Sequence, residues 1–167
     1  MHSKRDVIKL ILLWLDVALI IATLAFIWGN SCQPKQVSSQ TSQGVYEKIE
    51  PILDATFGKG VITHAIFRKM AHSIEFMLLG TEVIAFTYLA TGKVYRYTHN
   101  ILALGLVVAV MDESIQILSR RGPSLTDVLI DMGGFIIALS LIYLLILAIY
   151  LINKFIVRKK TSKRENR

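Results

Sequence analysis

Apolar residues run along this chain in four stretches long enough to cross a bilayer, and two of the four are interrupted by ionisable residues at helical spacing. The stretches are Val7 to Trp28, Met70 to Thr91, Ile101 to Leu118 and Val128 to Ile152. An α-helix rises 1.5 Å per residue, so about 20 apolar residues cover a hydrocarbon core of ~30 Å. The pattern predicts an all-α membrane protein, a bundle of four transmembrane helices over about 7–28, 70–91, 101–118 and 128–152. One membrane domain then occupies residues 1–157, and 158–167 form a basic tail.

The only sizeable connection runs from Gly29 to Phe67. Its polar start, Gln33 to Gly44, reads as an irregular, mobile segment. Val45, Ile49, Ile52, Leu53 and Phe57 then recur at helical spacing, with Pro51 marking a start or a kink and Gly58-Lys59-Gly60 an end. A short amphipathic helix on the membrane surface is the expectation there.

Composition agrees with the membrane class: 53% of the 167 residues are hydrophobic and the mean hydropathy is +0.52. The net charge of +7 alone would admit nucleic acid as a partner, but its distribution argues against it. Lys4, Arg5 and Lys9 flank the first span, Lys93 and Arg96 lie in a short loop with Tyr95 and Tyr97, and Arg158, Lys159, Lys160, Lys163, Arg164 and Arg167 follow the fourth. No helix-turn-helix or basic-aromatic pattern accompanies them. The positive-inside rule places both termini in the cytoplasm of a multi-pass protein of the cell membrane. Arg120 and Arg121 then fall on the outer side, against the rule, which points to a task other than topology. Cys32 is the sole cysteine, so no internal disulfide forms. A basic start, an apolar run and a cysteine resemble a lipoprotein signal, but Asp16, Gly29 and the length of the run favour an uncleaved helix.

Orientation gives the ionisable residues a common address. Arg68, His72, Glu75 and Glu82 follow one another at intervals of four, three and seven; Asp112, Gln116 and Arg120 at intervals of four, with Glu113 adjacent; Asp127 and Asp131 are a turn apart. All but Glu82 lie within roughly 12 Å of the outer helix ends. Asn30, Ser31 and Gln33 end the first span at the same level. A charge in hydrocarbon costs roughly 2.5–3.5 kcal/mol on insertion scales, so these residues imply a buried polar pocket that opens outward. Asp16 and Glu82 lie deeper, roughly 20 Å from that end. Ser124 and Asp127 fit an N-terminal capping pattern, and Gly134 with Ala138 would let a neighbouring helix approach closely.

Two chemistries compete at this pocket. His72 and Glu75, with Asp112 and Glu113, are either a general acid/base set or a hydrogen-bonded lock between helices. Arg68, Lys69, Arg120 and Arg121 form a basic ring that suits a phosphate, or they pair with Asp127 and Asp131. A lone pocket histidine without a doubled His-x-x-Glu pattern assigns no metal, and no cofactor is implied. The further histidines of a glutamate-type membrane protease are missing. Transport would need polar groups at midplane and in the inner leaflet, where only Asp16 and Glu82 stand.

Four segments in order carry a resemblance: Asn30-Ser31-Cys32-Gln33-Pro34; Arg68-Lys69-Met70-Ala71-His72-Ser73-Ile74-Glu75-Phe76; Asp112-Glu113-Ser114-Ile115-Gln116; and Arg121-Gly122-Pro123-Ser124-Leu125-Thr126-Asp127 continuing to Asp131 and Gly133-Gly134. Over about residues 8 to 150 the chain resembles the VanZ-like membrane proteins. The resemblance implies a small bacterial integral membrane protein, related to one associated with teicoplanin resistance. The expectation is a pocket floored by His72, Glu75, Asp112, Glu113 and Gln116. Arg68, Arg121 and Asp131 would shape its mouth and Asn30, Ser31 and Gln33 its side, with Lys69, Arg120, Ser124 and Asp127 as further binding candidates. It would bind, and if the acid/base set is chemical also modify, an anionic envelope lipid or lipid-linked cell-wall precursor, lowering glycopeptide susceptibility. The alternative is a non-catalytic scaffold that acts through a partner protein. The sequence sets no oligomeric state.

The orientation has a direct test. An alkaline phosphatase reporter should be active when fused after Gly58 or Gly122 and inactive after Lys93 or at the C-terminus, and the reverse pattern contradicts it.

Overall fold

The computed structural model describes residues 4–122 and 124–165, with side chains up to Ile156. Pro123 and the side chains of the basic tail lie outside the described residues. Five α-helices follow in order: α1 Lys4–Ser31, α2 Lys35–Phe57, α3 His64–Thr91, α4 Thr98–Leu118 with a 3₁₀ turn Val94–Tyr97 before it, and α5 Leu125–Glu165. Four of them, α1, α3, α4 with its lead-in, and α5, are long and apolar enough to cross a membrane. Each runs past the apolar stretch that announced it. Backbone hydrogen bonding does not stop where hydropathy falls, and Lys, Arg and Gln are good helix formers.

The connection between α1 and α3 departs from expectation. The polar stretch from Lys35 to Gly44 is helical, and α2 is one 23-residue helix rather than a loop followed by a short helix from Val45. Pro34 precedes it with φ −54°, and its carbonyl accepts the first helical bond from Ser38 N at 3.1 Å. Gln43 Nε2 donates to Glu47 Oε1 at 3.0 Å across Gly44, an i, i+4 support that apolar periodicity does not reveal. Pro51 lies inside the helix instead of starting it. Docking on α3 completes the explanation: the buried Tyr46 donates to Ile62 O at 2.8 Å and its ring leans on Phe67 and His64.

At the centre of the bundle α3 packs most extensively on α5 and next on α1. Thr63 caps its start by accepting from Ile66 N, and Gly92, at φ 69°, ends it in the left-handed conformation common at helix C-termini. The core is small and apolar, with Ile27, Phe76, Leu79, Ile84, Ala109 and Phe135 almost fully buried. Apolar side chains such as Trp14, Leu19, Phe26, Leu141 and Leu145 face outward. Such a surface is costly in water and suits a lipid solvent.

Glycines set the helix spacing. A Cβ at residue 134 would stand 2.0 Å from the Ser73 carbonyl oxygen, so α5 lies directly on the α3 backbone. The neighbouring Phe135 ring fills the space left by Gly105 of α4 and Gly80 of α3, where added Cβ atoms would meet it at 2.9 Å and 3.3 Å. Ala138 abuts Gly80 a turn further on, the small-xxx-small contact expected of Gly134 and Ala138.

Gly134→Ala must push against main chain and should cost on the order of 1–3 kcal/mol or more, read as a lower melting temperature in detergent. Gly133 has nothing within 4 Å of its added Cβ, and Gly133→Ala should melt like the wild type. Equal melting of the two variants would contradict this packing.

Candidate functional site

The end of α1, the first half of α3, the end of α4 and the start of α5 meet at one end of the bundle. Asp112 of α4 is fully buried there, and both its oxygens are used: Ser31 Oγ donates to Oδ1 at 2.6 Å and Gln116 Nε2 to Oδ2 at 2.7 Å. Gln116 also reaches Ser31 Oγ at 3.5 Å. Helical spacing puts Gln116 one turn above Asp112, and the α1 terminus brings Ser31 to both. A carboxylate so enclosed holds α1 to α4.

Glu113 has a different neighbour. Its Oε1 accepts from the backbone N of Ser124 at 2.5 Å, while Ser124 Oγ accepts from Asp127 N at 3.2 Å. In a capping box the acidic residue at the third helical position fills the first of these bonds. Here a carboxylate from α4 does so, and the Asp127 side chain instead lines a cavity.

Arg121, only 8% exposed, bridges the α4–α5 connection and the end of α1. Its Nη2 donates to the carbonyls of Asn30, in the last turn of α1, at 3.1 Å and of Gln33, just beyond the helix, at 2.8 Å. Asn30 and Gln33 thus meet it through their backbone. Its Nε is buried without a hydrogen-bond partner. Burial, and after it the nearby Arg68 guanidinium, weaken the hold of Arg121 on its proton, with Asp112 and Glu113 opposing them. A guanidinium stays protonated regardless, so the site carries concentrated positive charge.

Two cavities share Arg68, His72 and Arg121. One, of about 230 Å³, is also lined by Lys35, Lys69, Gln116 and Asp127; the other, of about 340 Å³, extends between α1, α2 and α3 past Phe26, Ser38, Val45 and Glu75. Among the described residues, Arg68, Lys69, Arg120 and Arg121 have no carboxylate within 4.0 Å, so the expected pairing with Asp127 and Asp131 is absent. Asp131 is 2% exposed and its Oδ1 has no partner. Arg120 is exposed, adopts φ 60°, and lines neither cavity.

His72 Nδ1 and Glu75 Oε2 approach to 3.5 Å on one face of α3. That is an ion-pair distance, but neither atom makes a hydrogen bond. Both side chains are partly open, at 24% and 18% exposure. Among the described residues no three His, Cys, Asp or Glu side chains converge as a metal would require. The deeper residues form a separate polar contact: Thr23 Oγ1 donates to Glu82 Oε1 at 2.9 Å, and Asp16 lies within electrostatic reach of Glu82.

Lys35, Ser38, Thr41 and Ser42 line the cavities but are missing from the set read off the sequence. Lys35 directly follows Pro34 at the start of α2, and the weak helix formers that come after it give little local signal that this stretch is helical. Ser42 Oγ lies 2.8 Å from His64 Nε2, with the donor set by the imidazole tautomer, and 3.0 Å from Ser39 O. The contact ties α2 to α3.

Four membrane-crossing helices around a cation-lined polar cavity at one end of the bundle define a multi-pass membrane protein. The chain belongs to the VanZ/LLP1 family, whose model matches residues 14–152 and so takes in every site residue from Asn30 to Asp131. Comparisons with curated proteins and with solved structures found no match.

Asp112→Ala strands the Ser31 hydroxyl and the Gln116 amide and should cost about 1–3 kcal/mol, read as a lower melting temperature in detergent. The double variant Ser31→Ala/Asp112→Ala should lose less than the sum of the two single losses, because the partners act together. Additive losses would mean the contact contributes nothing.

Proposed function

We propose that this VanZ/LLP1 family protein holds an anionic envelope lipid, or a lipid-linked cell-wall precursor, by its phosphate in an outward-facing pocket. The observation that carries the reading is the group of cations around the shared cavity, none of them in an ion pair among the described residues. Arg121 is buried with a free Nε, Arg68 stands near it, and among the described residues neither has a carboxylate within 4.0 Å although Asp127, Asp131 and Glu75 are close by in the bundle. Guanidinium groups suit phosphate oxygens by geometry as well as charge. His72 and Glu75 line the same larger cavity and are partly open, so they would meet a ligand there and exchange a proton with it. A lowered glycopeptide susceptibility would follow from sequestering or altering a wall precursor.

A second reading, a non-catalytic scaffold acting through a partner, is favoured by the Ser31, Asp112 and Gln116 set, whose bonds are internally satisfied. Arg68 separates the two, because unlike Arg121 it does not clamp the end of α1. Mass spectrometry of lipids purified with the wild type should find one phosphate-bearing class enriched over the membrane average, and Arg68→Ala should lose that enrichment at unchanged abundance. His72→Ala and Glu75→Gln should retain it while abolishing any susceptibility phenotype. Absence of an enriched lipid in the wild type favours the scaffold.

A further inference from the structure

The two cavities differ in kind, and their junction is the cationic group. The smaller is lined by Lys35, Arg68, Lys69 and Arg121, with Asp127 the one carboxylate among its lining residues. The larger is bounded on its far side by Phe26, Val45 and Phe67, with Thr41 and Ser42 along one wall. Phe26 is 59% exposed and Val45 48%, so this lobe reaches the outer surface of the helices. Phe26 stands five residues before the end of α1, about 8 Å below it along the axis. α1, with 28 residues, is longer than a hydrocarbon core of ~30 Å, and a helix centred on that core would bring this depth to the boundary where acyl chains begin. The apolar side of the lobe therefore opens sideways toward lipid, between α1 and α2.

We infer that the site takes a phosphate-bearing amphiphile across both lobes, the phosphate between Arg68 and Arg121 and the chain leaving through the gap beside Phe26 and Val45. The inference rests on the phosphate reading above and adds the division of the ligand between the two lobes and the lateral route of its chain. A soluble anion would use only the cationic lobe and leave an apolar lobe of about 340 Å³ without purpose. That volume lies within the usual range of small-molecule sites. The helix α2 forms one wall of the route and is held on α3 by the bonds of Tyr46 to Ile62 O and of Ser42 to His64. The chain thus enters from the membrane without α2 having to leave.

Delipidated full-length protein in a nonionic detergent, at fixed micelle concentration, is titrated with dioctanoyl phosphatidic acid and separately with inorganic phosphate, following the melting temperature. The wild type should bind the lipid at least tenfold more tightly than inorganic phosphate. Val45→Trp fills the chain lobe and should lose that advantage while keeping the affinity for inorganic phosphate. Thr41→Trp, on the exposed face of the same wall, gives the same readout should Val45→Trp fold poorly. Arg68→Ala should weaken both ligands. Equal affinity of the wild type for the two ligands overturns the amphiphile route, as does an undiminished lipid advantage in the folded tryptophan variants; in either case the phosphate reading stands. Failure of both ligands to bind overturns the phosphate reading together with this one.

Discussion

The absence of a side chain at residue 134 fixes where everything else in the bundle can stand. With Gly134 against the Ser73 carbonyl, α3 and α5 touch through their backbones. In a bilayer, helices gain little from excluding lipid from one another, so close packing and hydrogen bonds must supply the association. This contact also sets the site. Ser73 adjoins His72, and Asp131 lies three residues before Gly134 on α5, so the tight crossing brings the His72–Glu75 face of α3 level with the acidic start of α5. Phe135, seated between Gly80 and Gly105, extends the same registration to α4.

On that frame the polar residues divide by whether their bonds are spent. Ser31, Asp112 and Gln116 satisfy one another, Glu113 and Ser124 close the start of α5, and the carbonyls of Asn30 in α1 and of Gln33 just after it receive Arg121. These contacts tie α1, α4 and α5 together where a bare polar group would be expensive. The remainder is unspent: among the described residues, Arg121 Nε, His72 Nδ1, Glu75 Oε2 and Asp131 Oδ1 are buried without hydrogen-bond partners, and the guanidinium of Arg68 has no carboxylate within 4.0 Å. Arginine and aspartate stand apart here rather than paired, and the phosphate proposal rests on that arrangement.

Much of this was legible in the sequence because the membrane imposes strong rules. Apolar runs announced the four crossing helices, and intervals of three and four put Arg68, His72 and Glu75 on one face and Asp112 with Gln116 on another. The contact of Gly134 could be read from its spacing to Ala138. What stayed hidden depends on partners far along the chain. Glu113 completes the cap that Asp127 should close, a substitution between helices that no local pattern records. Arg120 and Arg121 look alike in sequence, yet one residue in the left-handed conformation turns Arg120 outward while Arg121 is buried. The polar half of α2 was missed for the opposite reason: its helix is held by side-chain bonds and docking, and carries no apolar stripe over its first ten residues.

The central claim is that the uncompensated arginines hold a phosphate supplied by the membrane. Phosphorus-31 nuclear magnetic resonance of the purified protein, after exhaustive exchange into a phosphorus-free detergent, tests it most directly. The account predicts a retained resonance, stoichiometric with protein and displaced from that of the free lipid, which Arg68→Ala removes. A wild-type protein that keeps its fold and carries no phosphorus, or an Arg68→Ala variant that carries as much as the wild type, would contradict it.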